Sequence, residues 1–268
     1  MKKLDHLSKI YSDYDTFIID LWGVMHNGIE LNKRAVEVIE NLKKNEKRII
    51  FLSNAPRPNK SVINFLKKID MKKEFLENIM TSGEAAMKSL KEEKFGKKFF
   101  HLGPERDTSL FLDLRKNKTN LEECDFILCT GLFDNYEKNL EYYTRLLKPA
   151  FKKRFVCTNP DLIVHRGNIK EYCAGKIAEI FESLGGKVIY FGKPHKEVYE
   201  IILNKGEKNF IIGDNLNTDI KGANNLKIDS LFILNGVHKS EFNNENDIED
   251  LVKKYGVTTK FYQSELSW

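Results

Sequence analysis

The chain has no Cys-x-x-Cys pair, no internal repeat, no low-complexity linker, and no apolar run approaching the ~18 residues that a membrane span needs. Its four cysteines, Cys124, Cys129, Cys157 and Cys173, lack the spacing of a zinc site or a disulfide framework, so a reducing, cytoplasmic setting is expected. Met1 to Ile10 is charged and holds no apolar stretch of signal-peptide length, from which neither secretion nor membrane insertion is expected. Nor does one charge sign dominate: 44 Lys and Arg stand against 39 Asp and Glu. Both signs mingle in Lys43 to Arg48 and Lys91 to Lys98, as on solvated helix faces, so a nucleic-acid partner is not expected.

What is present is a globular composition. Hydrophobic residues make up 41% and charged residues 31%, far more apolar than a disordered chain. At 268 residues the chain can bury one large core or two of ordinary size. Short apolar runs alternate with helical periodicity. The runs Thr16 to Ile19, Arg48 to Leu52, Asn78 to Met80, Lys98 to Leu102, Phe126 to Cys129, Arg154 to Cys157, Lys187 to Tyr190, Asn209 to Ile212 and Ser230 to Leu234 read as strands. Asn32 to Lys44 places Ala35, Val38, Ile39 and Leu42 on one helical face. Strands alternating with such helices imply α/β architecture with parallel sheets.

In parallel sheets ligands gather beyond the carboxyl ends of the strands, so polar residues directly after an apolar run are the ones to inspect. Four places qualify: Asp20, Ser53-Asn54, Gly192-Lys193-Pro194 and Gly213-Asp214. Two lie in the opening third and two in the closing third, as expected when one domain is inserted into another. Taken singly, Asp20 reads as a turn initiator and Lys193 as a surface lysine. In Gly213 to Asp219, Thr218 or Asp219 caps the following helix, which leaves Asp214 unexplained. Magnesium prefers hard oxygen ligands and is held by one or two carboxylates plus substrate phosphate. Asp20 and Asp214 on neighbouring strand ends suit that need, and Ser53 and Lys193 add a hydroxyl and a fixed positive charge.

The order acid, Ser, Lys, acid pair resembles the haloacid dehalogenase (HAD) superfamily, specifically its class IIA, NagD-like and 4-nitrophenylphosphatase-like phosphatases. Phe17 to Gly28 is similar to the first motif and its flap, Phe51 to Asn54 to the second, Gly192-Lys193-Pro194 to the third and Gly213 to Asp219 to the fourth. Met80-Thr81-Ser82-Gly83 and Thr158-Asn159-Pro160-Asp161 resemble segments particular to class IIA. The resemblance implies a Rossmann-like core over residues 1–84 and 182–268, with a smaller α/β cap of C2 type at 85–181. It implies a cytoplasmic, Mg2+-dependent phosphatase for a small phosphorylated metabolite, in which Asp20 forms an aspartyl-phosphate. Ser53 and Lys193 would take the phosphoryl oxygens, with Leu21, Trp22, Asn54 and His26 also around the phosphate. Asp20, Asp214, Asp219 and the Trp22 carbonyl would serve the metal. Asn159, Asp161, His165 and Arg166, in a cap loop, would meet the substrate, and a homodimer through the cap is a further expectation.

One position departs from the pattern. The family's second acid, two residues after the nucleophile, is Trp22 here. Its carbonyl survives for the metal, but indole cannot shuttle a proton at neutral pH. General acid-base catalysis contributes about 10²–10⁴-fold, so turnover is expected to persist on aryl phosphates, acyl phosphates and phosphoanhydrides, whose leaving groups need no proton. His26, in the flap, is either a substitute proton carrier or a packed side chain. A second reading, favoured by Trp22, is a phosphate-sensing or protein-binding module that keeps the metal site and turns over poorly. A receiver-type signalling domain also uses Asp, Ser or Thr, Lys and magnesium, but places its Lys after the acids, whereas Lys193 precedes Asp214.

Overall fold

The computed structural model describes residues 1–166 and 169–268, and all of their side chains except those of His165 and Arg166. In chain order the strands are β1 (Lys2–Lys3), β2 (Thr16–Ile19), β3 (Arg48–Ser53), β4 (Ile79–Thr81), β5 (Phe99–Leu102), β6 (Phe126–Cys129), β7 (Arg154–Cys157), β8 (Ile163–Arg166), β9 (Ile169–Tyr172), β10 (Val188–Tyr190), β11 (Asn209–Gly213), β12 (Asp229–Ile233) and β13 (Phe261–Gln263). The helices are α1 (Lys33–Lys44), α2 (Asn59–Lys68), α3 (Ser82–Lys91), α4 (Leu140–Leu147), α5 (Ala174–Ser183), α6 (Lys196–Ile202), α7 (Lys221–Leu226) and α8 (Ile248–Lys254). The chain divides into two compact units, one of residues 1–53, 63–80 and 199–268, the other of 54–62 and 81–198.

The first unit is built on a seven-stranded sheet in the order β1-β13-β12-β11-β2-β3-β4. β2 pairs in parallel with β3 on one side and β11 on the other. From this centre the chain steps outward in opposite directions, which makes the carboxyl end of β2 and β11 a topological switch point. All four residues of β2 are buried, as in a parallel sheet covered on both faces. α1 turns Ala35, Val38, Ile39 and Leu42 inward, and all four are fully buried. Asn32 starts it by accepting from the N–H of Arg34, and Lys43 and Lys44 complement its carboxyl end.

The second unit carries a four-stranded parallel sheet, β10-β7-β6-β5, and the antiparallel hairpin β8-β9. Tyr143 and Leu147 of α4 and Ile177 and Phe181 of α5 pack in its core with Phe155. The four thiols are free and buried, and burial pushes them up from their ordinary range, so they are protonated core groups. Residues 54–62 and the start of α3 join this unit through local bonds. Thr81 Oγ1 donates to the Arg57 carbonyl at 2.6 Å, Asn59 Oδ1 accepts from the Thr81 N–H at 2.9 Å, and Ser82 reaches the carbonyls of Ala55 and Thr158.

Four strands, β1, β8, β9 and β13, lie outside the sequence expectation. β1 is two exposed lysines with no apolar signal, carried by pairing with β13, itself three residues long. His165 and Arg166, expected in a loop, lie in β8, where the backbone pairs with β9. Their side chains lie outside the described residues.

His101 on β5 is buried with Nε2 at 2.9 Å from Thr130 Oγ1, and burial, aided by Lys118, pushes it down to about 4. On acidification the unfolded chain takes up the proton first, so stability is present above pH ~6.5 and lost as pH falls toward 4, by about 2 kcal/mol at pH 5. Gln at this position keeps a polar atom near Nε2 without titrating. His101→Gln should therefore lose less thermal stability between pH 7.5 and pH 5 than the parent, measured by calorimetry. Equal losses would exclude this histidine as a source.

Candidate active site

Asp20 immediately follows β2 and Asp214 immediately follows β11, and the register between these strands brings them together. The N–H of Asp20 donates to the carbonyl of Ile212 at 2.9 Å, continuing the ladder one residue beyond β2. Asp20, Asp214 and Asp219 each offer a carboxylate oxygen, and these atoms lie within 4.8 Å of one another. The side chains are buried, Asp20 at 7% exposure, Asp214 at 5% and Asp219 at 1%. Ionised carboxylates at that separation repel by roughly 3 kcal/mol per pair at an effective dielectric of ~20. Three buried hard oxygen donors converging on one point suit a divalent cation, which turns the repulsion into attraction.

The seat of Asp214 is carved by missing side chains. A Cβ on Gly23 or on Gly236 would stand 2.0 Å from Asp214 Oδ2, and Gly23 has a φ of +88° that only glycine adopts readily. Val237 donates its N–H to the same oxygen at 2.8 Å. Gly213 similarly admits Asp219, whose Cγ would be 2.1 Å from a Cβ there, and Asp219 Oδ2 accepts from the Asn215 N–H at 3.2 Å. The turn after Asp214 is a π-helical turn, Leu216–Ile220. Its cap is Asn215, accepting from the Asn217 N–H at 2.9 Å, rather than Thr218 or Asp219, because Asp219 is turned back toward the acids. Gly236 and Val237 also follow a strand end, but a glycine and a backbone N–H leave no side-chain signal in the sequence.

The flap after Asp20 is a closed loop. The Gly23 N–H donates to the His26 carbonyl at 2.8 Å, and the N–H groups of Met25 and His26 both reach the Leu21 carbonyl. Leu21's side chain is core, so only its backbone is left to face a ligand. Gly28, with φ +86°, lies under Trp22, where a Cβ would be 2.7 Å from the indole ring. The His26 ring meets Trp22 and Phe65 edge-on at 5.2 Å each, and its Nδ1 accepts from the Gly28 N–H at 3.0 Å. Burial pushes His26 down to about 4, so near neutral pH it is uncharged and a poor proton carrier in either direction. Its place is that of a pin for the flap. Ser53 ends β3 in this same unit and is buried.

Asn54, Asn159, Asp161 and Lys193 belong to the second unit. Asn54 Oδ1 accepts from the Lys193 N–H at 2.8 Å, and its Nδ2 donates to the Lys193 carbonyl and to Asp161 Oδ1, both at 3.1 Å. Both ends of the amide therefore clasp neighbours, and Asn54 acts by holding the buried Lys193. Gly192 has φ +113°, and a Cβ there would stand 2.5 Å from Asn54 Oδ1, so the Gly192-Lys193-Pro194 turn requires glycine. Asn159 Oδ1 accepts from the Asp161 N–H at 3.2 Å, and Gly175 clears room for the Pro160 carbonyl. These two motif residues are thus tied into a turn.

Known proteins share this fold. The model of the haloacid dehalogenase-like hydrolases matches residues 17–114, and that of the HAD-hydrolase-like family matches residues 190–254. A 5'-nucleotidase of Bacillus subtilis, YutF, is 26% identical over 85% of this chain and 90% of its own. A haloacid dehalogenase-like hydrolase of Brucella suis superposes with a TM-score of 0.86 at 27% identity, covering 98% of this chain and 99% of that one. A 4-nitrophenylphosphatase of Thermotoga maritima shares the fold, with a TM-score of 0.71 at 24% identity over 96% of both chains. The chain belongs to the haloacid dehalogenase-like hydrolases, and over 31% of its length it is 35% identical to the ribonucleotide monophosphatase NagD of Escherichia coli.

Proposed function

We propose that the protein is a cytoplasmic, magnesium-dependent phosphohydrolase for a small phosphorylated metabolite, with Asp20 as nucleophile. The observation that carries this reading is the convergence of Asp20, Asp214 and Asp219 at the switch point of the seven-stranded sheet. Relatives named for phosphatase activities support it. A carboxylate oxygen of Asp20 attacks phosphorus, and the bond to the leaving oxygen breaks with its electron pair departing on the leaving group. Water then adds to phosphorus, the bond to Asp20 breaks, and inorganic phosphate leaves as the water's proton passes to phosphate or solvent. Asp20, Asp214 and the Trp22 carbonyl would hold magnesium, with Asp219 beside them. The cation's charge would offset the repulsion between Asp20 and the phosphoryl group. To Ser53 and Lys193 we assign the phosphoryl oxygens, and to the inserted unit the choice of leaving group.

The missing acid narrows the substrates. Neither Trp22 nor His26 delivers a proton near neutral pH, so leaving groups that depart as stable anions are favoured: aryl phosphates, acyl phosphates and anhydrides. Trp22 is also the observation that favours the second reading, a phosphate-binding module that turns over poorly.

Hydrolysis of 4-nitrophenyl phosphate and acetyl phosphate, with and without magnesium, separates the two. Magnesium-dependent turnover is expected for the parent and background rates for Asp20→Asn. No turnover of either compound by the folded parent would leave only the binding-module reading standing. Trp22→Asp restores the acid and should raise turnover of alkyl phosphates by up to about 10²-fold, more than that of aryl phosphates. Equal gains on both classes would contradict the assigned role of this position.

A further inference from the structure

Behind the acidic cluster, the chain after β12 makes two adjacent contacts with the loop that carries Asp214. Val237 donates to Asp214 Oδ2, and the next residue, His238, accepts at Nε2 from the Leu216 N–H at 3.1 Å. Accepting at Nε2 puts the ring proton on Nδ1, which lies 2.7 Å from Glu241 Oε1 and donates to it. Glu241 is itself held by the Tyr255 hydroxyl, 2.9 Å from both oxygens, and by Lys254 Nζ at 3.1 Å. Lys254 and Tyr255 lie at the end of α8, whose Ile248 and Leu251 share one buried cluster with Leu216 and Phe232. The His238 ring is buried, edge-on to Phe232 and Tyr255 at 6.1 and 4.7 Å. An imidazole committed at both nitrogens and walled by rings is a rigid strut between α8 and the backbone two residues after Asp214.

We propose that His238, backed by Glu241, is a positioning residue for the divalent-cation site: it fixes the 214–216 backbone so that the Asp214 carboxylate meets the ion in a narrow range of positions. The inference rests on the metal-dependent reading above. It acts through Leu216 and not by ligation. The reach of such a strut depends on the ion. Magnesium demands near-ideal octahedral geometry at short range, whereas calcium accepts variable geometry and ligand number. Loosening the loop should therefore weaken magnesium more than calcium, while general destabilisation would weaken both alike.

The test is calorimetric titration of the full chain with Mg2+ and with Ca2+, for the parent, His238→Ala and His238→Gln, with folding checked by circular dichroism. Loss of a supporting group behind a metal ligand typically lowers affinity about 10–100-fold, so His238→Ala should bind Mg2+ at least about tenfold more weakly. Its loss for Ca2+ should be clearly smaller. His238→Gln, whose amide oxygen can take the place of Nε2 as acceptor, should recover most of the Mg2+ affinity. Should the alanine variant fail to fold, Glu241→Ala removes the backing while keeping the ring and carries the same expectation. Unchanged Mg2+ affinity, equal losses for both ions, or a glutamine variant no better than alanine would overturn the proposal. A parent that binds neither ion would instead bring down the metal-dependent reading itself.

Discussion

The parallel register of β2 against β11 is the constraint on which the site depends. Ile19 pairs with Ile212, the Asp20 N–H closes on the Ile212 carbonyl, and two acids from opposite ends of the chain are thereby set side by side. Nothing about the acids favours that outcome, since each close pair repels by roughly 3 kcal/mol. The opposing force is the burial of Phe17, Ile18 and Ile19 against Phe210, Ile211 and Ile212, all at or below 1% exposure. At about 1.5–3 kcal/mol for each side chain, their burial is worth on the order of 10 kcal/mol, enough to hold a pair of like charges side by side. Gly23, Gly213 and Gly236 then matter as absences, because a methyl group at any of them would fill the space that the carboxylates occupy.

The flap is held by packing around Trp22. With Trp22 in place, its ring covers Gly28, and His26 packs edge-on against it with Nδ1 bonded to the Gly28 N–H. Indole, imidazole and glycine form one small unit in which each needs the other two. A side chain at 28 would strike the indole, and a charged imidazole would lose its acceptor. These contacts make the segment next to Asp20 rigid.

Most of the scaffold was legible because parallel strands buried on both faces are nearly continuous apolar runs. β2, β6 and β7 fall where those runs predict, and α1 follows from the spacing of Ala35, Val38, Ile39 and Leu42, with Asn32 at its start. Asp20 and Asp214 were legible for the same reason, as polar residues ending such runs. What stayed hidden has no side-chain signal or depends on pairing. β1 is two lysines, β13 is three residues, and the β8-β9 hairpin is carried by its ladder. The Val237 N–H and the Gly236 gap leave no mark in composition. Spacing places the cap of the helix running to Leu226 at Thr218 or Asp219, but helical structure begins one turn earlier, at Leu216, where Asn215 caps it and Asp219 is drawn back toward the other acids.

The motif residues divide by unit, and the division separates two kinds of electrostatics. The carboxylates belong to the first unit, where strand register and glycine gaps hold them. Lys193 belongs to the second, where its backbone is clasped on both sides by the Asn54 amide. Asn54 directly follows Ser53, the last residue of β3, so one peptide bond passes from the unit of the acids to the unit of the lysine. The two charges are seated by independent sets of contacts. Damage to the Asn54 clasp displaces the lysine without touching the β2-β11 register, and damage to that register disperses the acids without loosening the clasp. The contacts that seat the acids and those that seat Lys193 are therefore separable features of this chain.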